Sequence, residues 1–429
     1  MKTYLGIDLG STTSKAVFLD DQGSIIGRGI TNTRANYEVA ADIARMEAEF
    51  NSRFTLLQRR LSSSRDGAID WPALFSLLEG RFQFIQFQER FRRLMETMRD
   101  NAPAANGDSQ LLPNLDRAGQ AVQERIRGDY LAGKVATGSQ FFRDLFGGAY
   151  MHTIEDLDQA LQDRLMTLYD RSITPVENQL IKFDFAQLLF QSIDLLPEGP
   201  VDHRALLEPE LDRVAGLSLE PTDYIGTGYG RQLLPFEAKH IKSEILCHAL
   251  GAHAYFPQTR TVLDIGGQDT KAIQVDGHGL VTSFQMNDRC AAGCGRYLGY
   301  IADEMNISVN ELGPLAVDAE YEANICSTCT VFAGAELREY LNLGEKKENI
   351  LAGLHLAIVQ RAFALLARSG GVRDEFTFTG GVARNEAVVK YVSQLVSQNY
   401  GDLQINIHPD SIYMGAVGAA LFSSRRKDN

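Results

Sequence analysis

Two kinds of residue cluster in this chain can do chemistry: paired cysteines and acid–glycine–lysine loops. Cys290 and Cys294 lie in NDRCAAGCG (Asn287–Gly295), and Cys326-x-x-Cys329 lies in NICSTCTVF (Asn324–Phe332). Four thiols in two pairs permit a redox dithiol, an intrachain zinc site or an iron–sulfur cluster. They also permit two ligands per chain, completed by a symmetric partner. Against these stands the ordinary fate of free cysteine, a small buried apolar side chain, which is the expectation for the isolated Cys247. Asn287 or Asp288 is expected to cap a helix over Arg296–Met305, so that its first-turn N–H groups point at whatever Cys290 holds.

The loops are a repeat. Asp8–Val17 (DLGSTTSKAV) aligns without gaps on Asp264–Ile273 (DIGGQDTKAI), sharing D-x-G-x4-K-A-[VI], and Asp20 falls opposite Asp276 in the same register. Each copy follows an apolar strand-like run and leads into a second strand and an Asp/Gly turn. Acid, glycine and hydroxyl residues in such a loop cradle phosphate through backbone N–H groups. A single copy is weak evidence, because turns are rich in Gly and Ser. Two copies in register predict a duplicated α/β domain with a cleft lined by both loops. Further on, strand Glu375–Thr379 ends in Gly380-Gly381 before helix Asn385–Gln398, a turn that lets a nucleoside approach the backbone.

The elements that must position these residues are legible in outline. Strands are expected at Tyr4–Ile7, Ala16–Leu19, Ser24–Ile26, Leu280–Met286 and Leu403–His408. Helices are expected at Phe236–Ala252 (containing Glu244 and Cys247), Ala333–Leu343, Leu351–Ser369 and the small-residue stretch Met414–Phe422. The glycine-rich Tyr224–Arg231 returns the chain to the site. Between the repeats, about Tyr37 to Pro221 is helix-biased. Phe84, Phe87, Phe91, Leu94, Met95 and Met98 recur at helical spacing, with Arg81, Arg90, Arg92 and Arg93 on other faces. Leu157, Leu161, Leu165 and Leu168 form a second stripe in one helix over Ile154–Tyr169, and Asn101–Pro113 reads as a loop. Plain packing is the ordinary role for this region, and partner docking the alternative. The boundaries are 1–36 for the first part of the duplicated α/β fold, 37–221 for the insertion, 222–260 for the return, and 261–429 for the second half.

The 429 residues are enough for two or three domains. A net charge of −13 argues against nucleic acid and anionic membrane surfaces as partners. Five cysteines are too sparse for a disulfide framework. No apolar run is read as approaching the ~20 residues of a spanning helix, and the N-terminus lacks a signal-peptide pattern. A cytoplasmic protein is expected.

IDLGSTTSKAV, LDIGGQDTKAI and TGGVARNEAV resemble the two phosphate motifs and the adenosine motif of the acetate and sugar kinase/heat-shock 70/actin superfamily, whose fold is a duplicated ribonuclease-H-like α/β ATPase. NDRCAAGCGRYL and STCTVFAGAE narrow the resemblance to the ATPases that comprise 2-hydroxyacyl-CoA dehydratase activators and the ATP-hydrolysing subunits of class I benzoyl-CoA reductases. The match covers residues 1–36 and about 222–425. The large helical insertion makes the chain similar to the longer ATPase subunit of benzoyl-CoA reductase.

The resemblance implies ATP/ADP and Mg2+ in the cleft. Asp8, Asp264 and Gln268 would be catalytic, the two aspartates holding the metal's waters. Gly10, Ser11, Thr12, Thr13, Lys15, Gly266, Gly267, Asp269 and Lys271 would bind phosphates, and Gly380, Gly381, Val382 and Asn385 would face adenosine. It further implies a [4Fe–4S] cluster bridging two ATPase chains, the partner an identical or shorter homologue. Cys290 and Cys329 match the ligand positions, while Cys294 and Cys326 do not. Low-potential electrons, from a donor such as ferredoxin, would pass to catalytic acyl-CoA reductase subunits. Two other readings remain: activation of a 2-hydroxyacyl-CoA dehydratase, and a small-molecule kinase of the superfamily in which the cysteines are structural. A non-catalytic, nucleotide-dependent assembly module is a third.

Overall fold

In chain order the elements are β1 (Thr3–Leu9), β2 (Thr13–Asp20), β3 (Ile25–Asn32), α1 (Tyr37–Leu61), α2 (Trp71–Asp100), α3 (Leu111–Leu131), α4 (Phe142–Ile154), α5 (Gln159–Glu177), α6 (Phe185–Ile193) and α7 (His203–Ala215). They continue with β4 (Asp223–Thr227), α8 (Glu244–Tyr255), β5 (Thr261–Ile265), β6 (Thr270–Val275), β7 (Val281–Asn287), α9 (Gly295–Met305), α10 (Val309–Val317), α11 (Thr330–Asn342), α12 (Lys347–Ser369), β8 (Phe376–Thr379), α13 (Glu386–Tyr400), β9 (Ile405–Asn406) and α14 (Met414–Arg425). The computed structural model describes residues 1–33, 36–62, 69–102, 110–135, 141–197, 203–287, 294–305, 307–326 and 330–426. The chain forms two compact units, one over 26–220 and one built from 2–25 with 221–429.

The second unit contains the repeat, and the repeat is visible in its strand pairing. β1 lies between β2, antiparallel, and β4, parallel. β5 lies in the same way between β6 and β8, with β7 and β9 at the outer edges. The two hairpins share one register, Asp8 opposite Lys15 and Asp264 opposite Lys271. Their far ends close by the same device. Asp20 Oδ1 accepts from the backbone N–H of Gln22 and Ser24, and Asp276 Oδ1 from His278 and Leu280. Gly23 (φ 79°) and Gly279 (φ 77°) supply the left-handed turn residue.

Small residues bring the elements around the site together. A Cβ on Gly6 of β1 would overlap the Ala416 carbonyl of α14, and one on Gly418 would overlap the Cys247 carbonyl of α8. The small-residue helix therefore packs as tightly as expected, and Cys247 is a fully buried core thiol, its pKa pushed up to about 12 by burial. Around the β5 half, α9, α10, α12 and α13 bury Ile301, Leu312, Leu354, Ile358, Leu366, Val388 and Tyr391 against Leu263, Phe376 and Phe378. α12 corrects the reading that no run approached a membrane span. It is long and apolar enough to cross a bilayer, but 72% of its most apolar window is buried inside this core.

Several boundaries differ from expectation for local reasons. The helix expected from Phe236 begins only at Glu244, after two short 3-10 turns. Ile154–Tyr169 is two helices, because Asp158 accepts from Leu161 N and caps a new start. The strand expected over Leu403–His408 is the two-residue β9. Asn287 is the last residue of β7, opposite Thr270, rather than a helix cap; Asp288 lies outside the described residues.

Apart from β3, the elements of the first unit are helices. The 30-residue α2 serves two cores. Its first half, with Trp71, Phe75 and Phe82, packs with α1, α6 and α7. Its second half, with Phe84, Phe87, Phe91 and Leu94, packs with α3, α4 and α5. Arg81 stands between the two and is turned inward, donating to the carbonyls of Tyr130 (2.9 Å), Leu131 (3.2 Å) and Leu195 (3.3 Å).

Candidate functional site

The two hairpin loops face each other within the second unit. A Cβ on Gly267 would overlap Thr12 Oγ1, so the loops of the two repeats touch through a residue without a side chain. At the first loop, Asp8 is buried and its Oδ2 lies 3.6 Å from Lys15 Nζ. Gly10 leaves room for that ammonium, which would sit 3.1 Å from a Cβ there. Ser11 is half-buried and Thr12 exposed between β1 and β2, and Thr13, the first residue of β2, is half-buried. The return segment closes over this loop, since a Cβ on Gly228 would crowd the Asp8 carboxylate and Leu9 backbone.

The second loop is more heavily bonded. Lys271 Nζ donates to Asp264 Oδ2 (3.2 Å) and Asp269 Oδ1 (2.7 Å), and Thr379 Oγ1 donates to Asp264 Oδ1 (3.0 Å). Burial alone would raise the pKa of Asp264, but the His248 and Lys271 charges and the Thr379 hydroxyl outweigh it and hold the carboxyl well below its ordinary range. Burial likewise opposes charge on Lys271, and Asp264, Asp269 and Glu244 reverse it, raising its pKa. Asp264 is therefore an anion with most of its acceptor capacity engaged by protein donors. It suits ordering of a metal's water shell better than direct ligation, while Asp8, with one long ion pair, is the freer carboxylate. Gln268 is half-buried and its side chain makes no hydrogen bond among the described residues.

Reading residues singly missed what α8 contributes. Glu244 and His248, one helical turn apart, are both buried beneath the loops. Burial pushes the Glu244 carboxyl above its usual range, partly offset by Lys271. Burial would lower the pKa of His248, but Asp264 beside it raises the net value. A Glu-x3-His pair in a helix looks in sequence like any partly polar helix. Thr379, the last residue of β8, was equally silent.

At the glycine pair, Gly380 (φ 94°) has no room for a side chain, which would overlap the Ile265 carbonyl, whereas Gly381 is open except for Ile412. Val382 is turned into the core. The Asn385 amide is committed to the fold: its Oδ1 caps α13 at Val388 N (3.0 Å) and its Nδ2 meets His355 Nε2 at 3.1 Å. Any contact it makes with adenosine is thus through its remaining edge or its backbone.

Cys290 and Cys329 lie outside the described residues; α9 and α11 follow them in the chain. The backbone N–H of Gly295 donates to Gly266 O (2.9 Å) and that of Arg296 to Gly267 O (2.8 Å), fastening the first turn of α9 to the second repeat's loop. Cys294 is buried with Sγ 3.4 Å from Thr270 Oγ1, its thiol pushed up to about 11 by burial. α11 begins at Thr330 and is tied to α9 by side chains: Gly334 lies against Tyr300, and Arg338 donates to Tyr300 Oη (2.8 Å) and Glu304 (3.5 Å). Cys326 is half-buried, its N–H donating to Glu336 (2.6 Å) and its carbonyl accepting from Arg361 (2.8 Å).

Two hairpins in common register, each with an acid–lysine pair and each flanked by a parallel strand from later in the chain, define a duplicated ATPase of the actin/heat-shock 70/acetate kinase fold, here with a large helical insertion. The fold is also that of the crystal structure of the Acidaminococcus fermentans (R)-2-hydroxyglutaryl-CoA dehydratase component A, at a TM-score of 0.52 and 23% identity, covering 99% of both chains. Residues 5–423 match the BadF/BadG/BcrA/BcrD ATPase family, and the chain belongs to it. Among curated relatives, the 2-hydroxyisocaproyl-CoA dehydratase activator of Clostridioides difficile is 40% identical over 198 residues, 46% of this chain and 71% of the relative. A benzoyl-CoA reductase subunit of Thauera aromatica is 34% identical over 215 residues, 50% of this chain and 76% of the relative.

Proposed function

We propose that this ATPase is an iron–sulfur electron activator, in which ATP hydrolysis between the hairpin loops changes the state of a cluster held at the cysteine segments. One observation carries the reading: Gly266 and Gly267 give their carbonyls to the first turn of α9. A peptide unit points its N–H and C=O in opposite directions. N–H groups of this loop that face a phosphate therefore share rigid planes with carbonyls that hold the helix following Cys290. Loss of the γ-phosphate would shift the loop and, through those planes, the helix start.

Cys290 and Cys329 would be the cluster ligands, two per chain, completed by an identical or shorter ATPase subunit. The starts of α9 and α11, each following one of these cysteines in the chain, support this, since an anionic thiolate-ligated cluster gains from helix N-termini. Cys294, buried and kept protonated, is better suited to packing than to ligation. When bound, the nucleotide supplies a phosphoanhydride for attack by water. The chain's own part is charge: Lys15 and Lys271 offset the phosphates, Asp8 and Asp264 order the metal's waters, and the loop N–H groups hold the β- and γ-oxygens.

The electron would come from a low-potential donor such as ferredoxin and pass to a partner acyl-CoA enzyme in the cytoplasm. The higher identity to a dehydratase activator favours a 2-hydroxyacyl-CoA dehydratase as that partner, ahead of the benzoyl-CoA reductase expected from the insertion. Both alignments span half of this chain or less, so the insertion itself discriminates neither. The test is anaerobic purification with partner identification, iron and sulfide analysis and EPR, then ATP-dependent assays on both acyl-CoA classes. A brown, EPR-active dimer that supports one of these reactions is expected. A colourless protein that phosphorylates a small substrate overturns the reading.

A further inference from the structure

Three histidines are buried among the described residues of the second unit, and one differs from the other two. His355 is satisfied: Nδ1 bonds the Leu351 carbonyl (2.7 Å) and Nε2 meets the Asn385 amide (3.1 Å). His240 has its Nδ1 against the Tyr224 carbonyl at 2.8 Å. His248 is 7% exposed, yet its Nδ1 makes no aligned hydrogen bond among the described residues. That atom is 3.2 Å from Asp264 Oδ1, close enough for an ion pair but not aligned for a hydrogen bond. The other end of the ring is equally placed. A Cβ on Gly415 would lie 2.9 Å from His248 Nε2 and 2.8 Å from Asp8 Oδ2, so both atoms crowd one point that only glycine leaves free. The imidazole thus reaches toward the catalytic-site carboxylates of both repeats. A buried donor left short of alignment is costly in a merely structural role.

From this geometry we infer that His248 is a positioning residue for ATP hydrolysis, holding the Asp264 carboxylate in register with Asp8. The inference rests on the ATPase reading of the cleft. The other charged groups facing the ring are Asp8 of β1, Lys271 of β6 and Glu244 on its own helix. Lys271 already fixes Asp264 Oδ2 and Thr379 approaches Oδ1. His248 supplies a third restraint, from the helix that lies under both hairpins. Tightening of the 3.2 Å contact into an aligned hydrogen bond on nucleotide binding would turn the carboxylate's remaining lone pair toward the cleft.

His248→Asn keeps a donor near the Nδ1 position, whereas His248→Gln moves it to the Nε2 position; both variants are polar and of similar bulk. Steady-state ATPase assays on the full chain, with titration of Mg·ADP and thermal midpoints, compare them with the wild type. The expected result is kcat within about 3-fold of wild type for Asn and about 100-fold lower for Gln, with Mg·ADP affinity and KM changed less than about 3-fold in both. Equal kcat in the two variants, high or low, overturns the inference, as does a loss confined to KM or ADP affinity. Should the wild-type chain itself show no ATP turnover, the ATPase reading fails instead.

Discussion

Asp264 is the residue on which the site's charges converge, and it sets the first test. Asp264→Asn keeps the shape but removes the anion that Lys271 and His248 face. Nucleotide affinity is expected to stay within several-fold while turnover falls by about 100-fold, measured by ADP titration and phosphate release; full turnover would contradict the role. His355 makes a separate prediction about stability. Burial depresses its pKa from 6.5 to about 4. Above pH 6.5 it is neutral in both folded and unfolded chains. Between 6.5 and about 4 the unfolded chain takes up a proton that the fold refuses, so stability falls across that window by up to about 3 kcal/mol and levels below it. His355→Gln should flatten that part of a denaturation-versus-pH profile relative to wild type.

At the scale of elements, a single buried guanidinium joins three helices of the insertion. Arg81 of α2 caps carbonyls at the end of α3 and just beyond α6. Arg81→Met fills the space but leaves those carbonyls without their charged donor, at an expected cost of about 3 kcal/mol. Trp71 is the only tryptophan and sits at the start of the same helix, so its fluorescence in urea reads the loss directly. In the other unit, the bond between the second repeat's loop and α9 is reinforced by Thr270 and Cys294. Thr270→Val is expected to leave ATP turnover within about 3-fold while weakening the nucleotide dependence of the cluster's accessibility to a chelator. An unchanged difference between ATP and ADP states would argue that the coupling runs elsewhere.

For the whole molecule, the decisive quantity is iron per chain. One [4Fe–4S] cluster shared by two chains gives about two irons per chain, whereas an intrachain four-cysteine cluster gives about four. On the proposed reading, Cys290→Ser and Cys329→Ser should each abolish the proposed cluster and the dimer it would bridge, and Cys294→Ser and Cys326→Ser should leave both. Iron analysis with size-exclusion chromatography separates these outcomes.

What the sequence determined by itself is what repeats or what is local. The D-x-G-x4-K-A motif specifies a hairpin from within ten residues, and its second copy implies the duplicated fold, because backbone turn chemistry does not depend on distant contacts. The hairpin register, the paired Asp20 and Asp276 turns and the tight packing of α14 all agree with it. What only the tertiary structure decided is which polar side chains from elsewhere complete the site. Glu244, His248 and Thr379 reach Asp264 and its neighbours from a helix and a strand that carry no motif. Arg81 became an interior cap rather than a surface charge for the same reason. A side chain's role there depends on which carbonyl or carboxylate the fold brings to it, and that is set by packing over long sequence separations, not by local spacing.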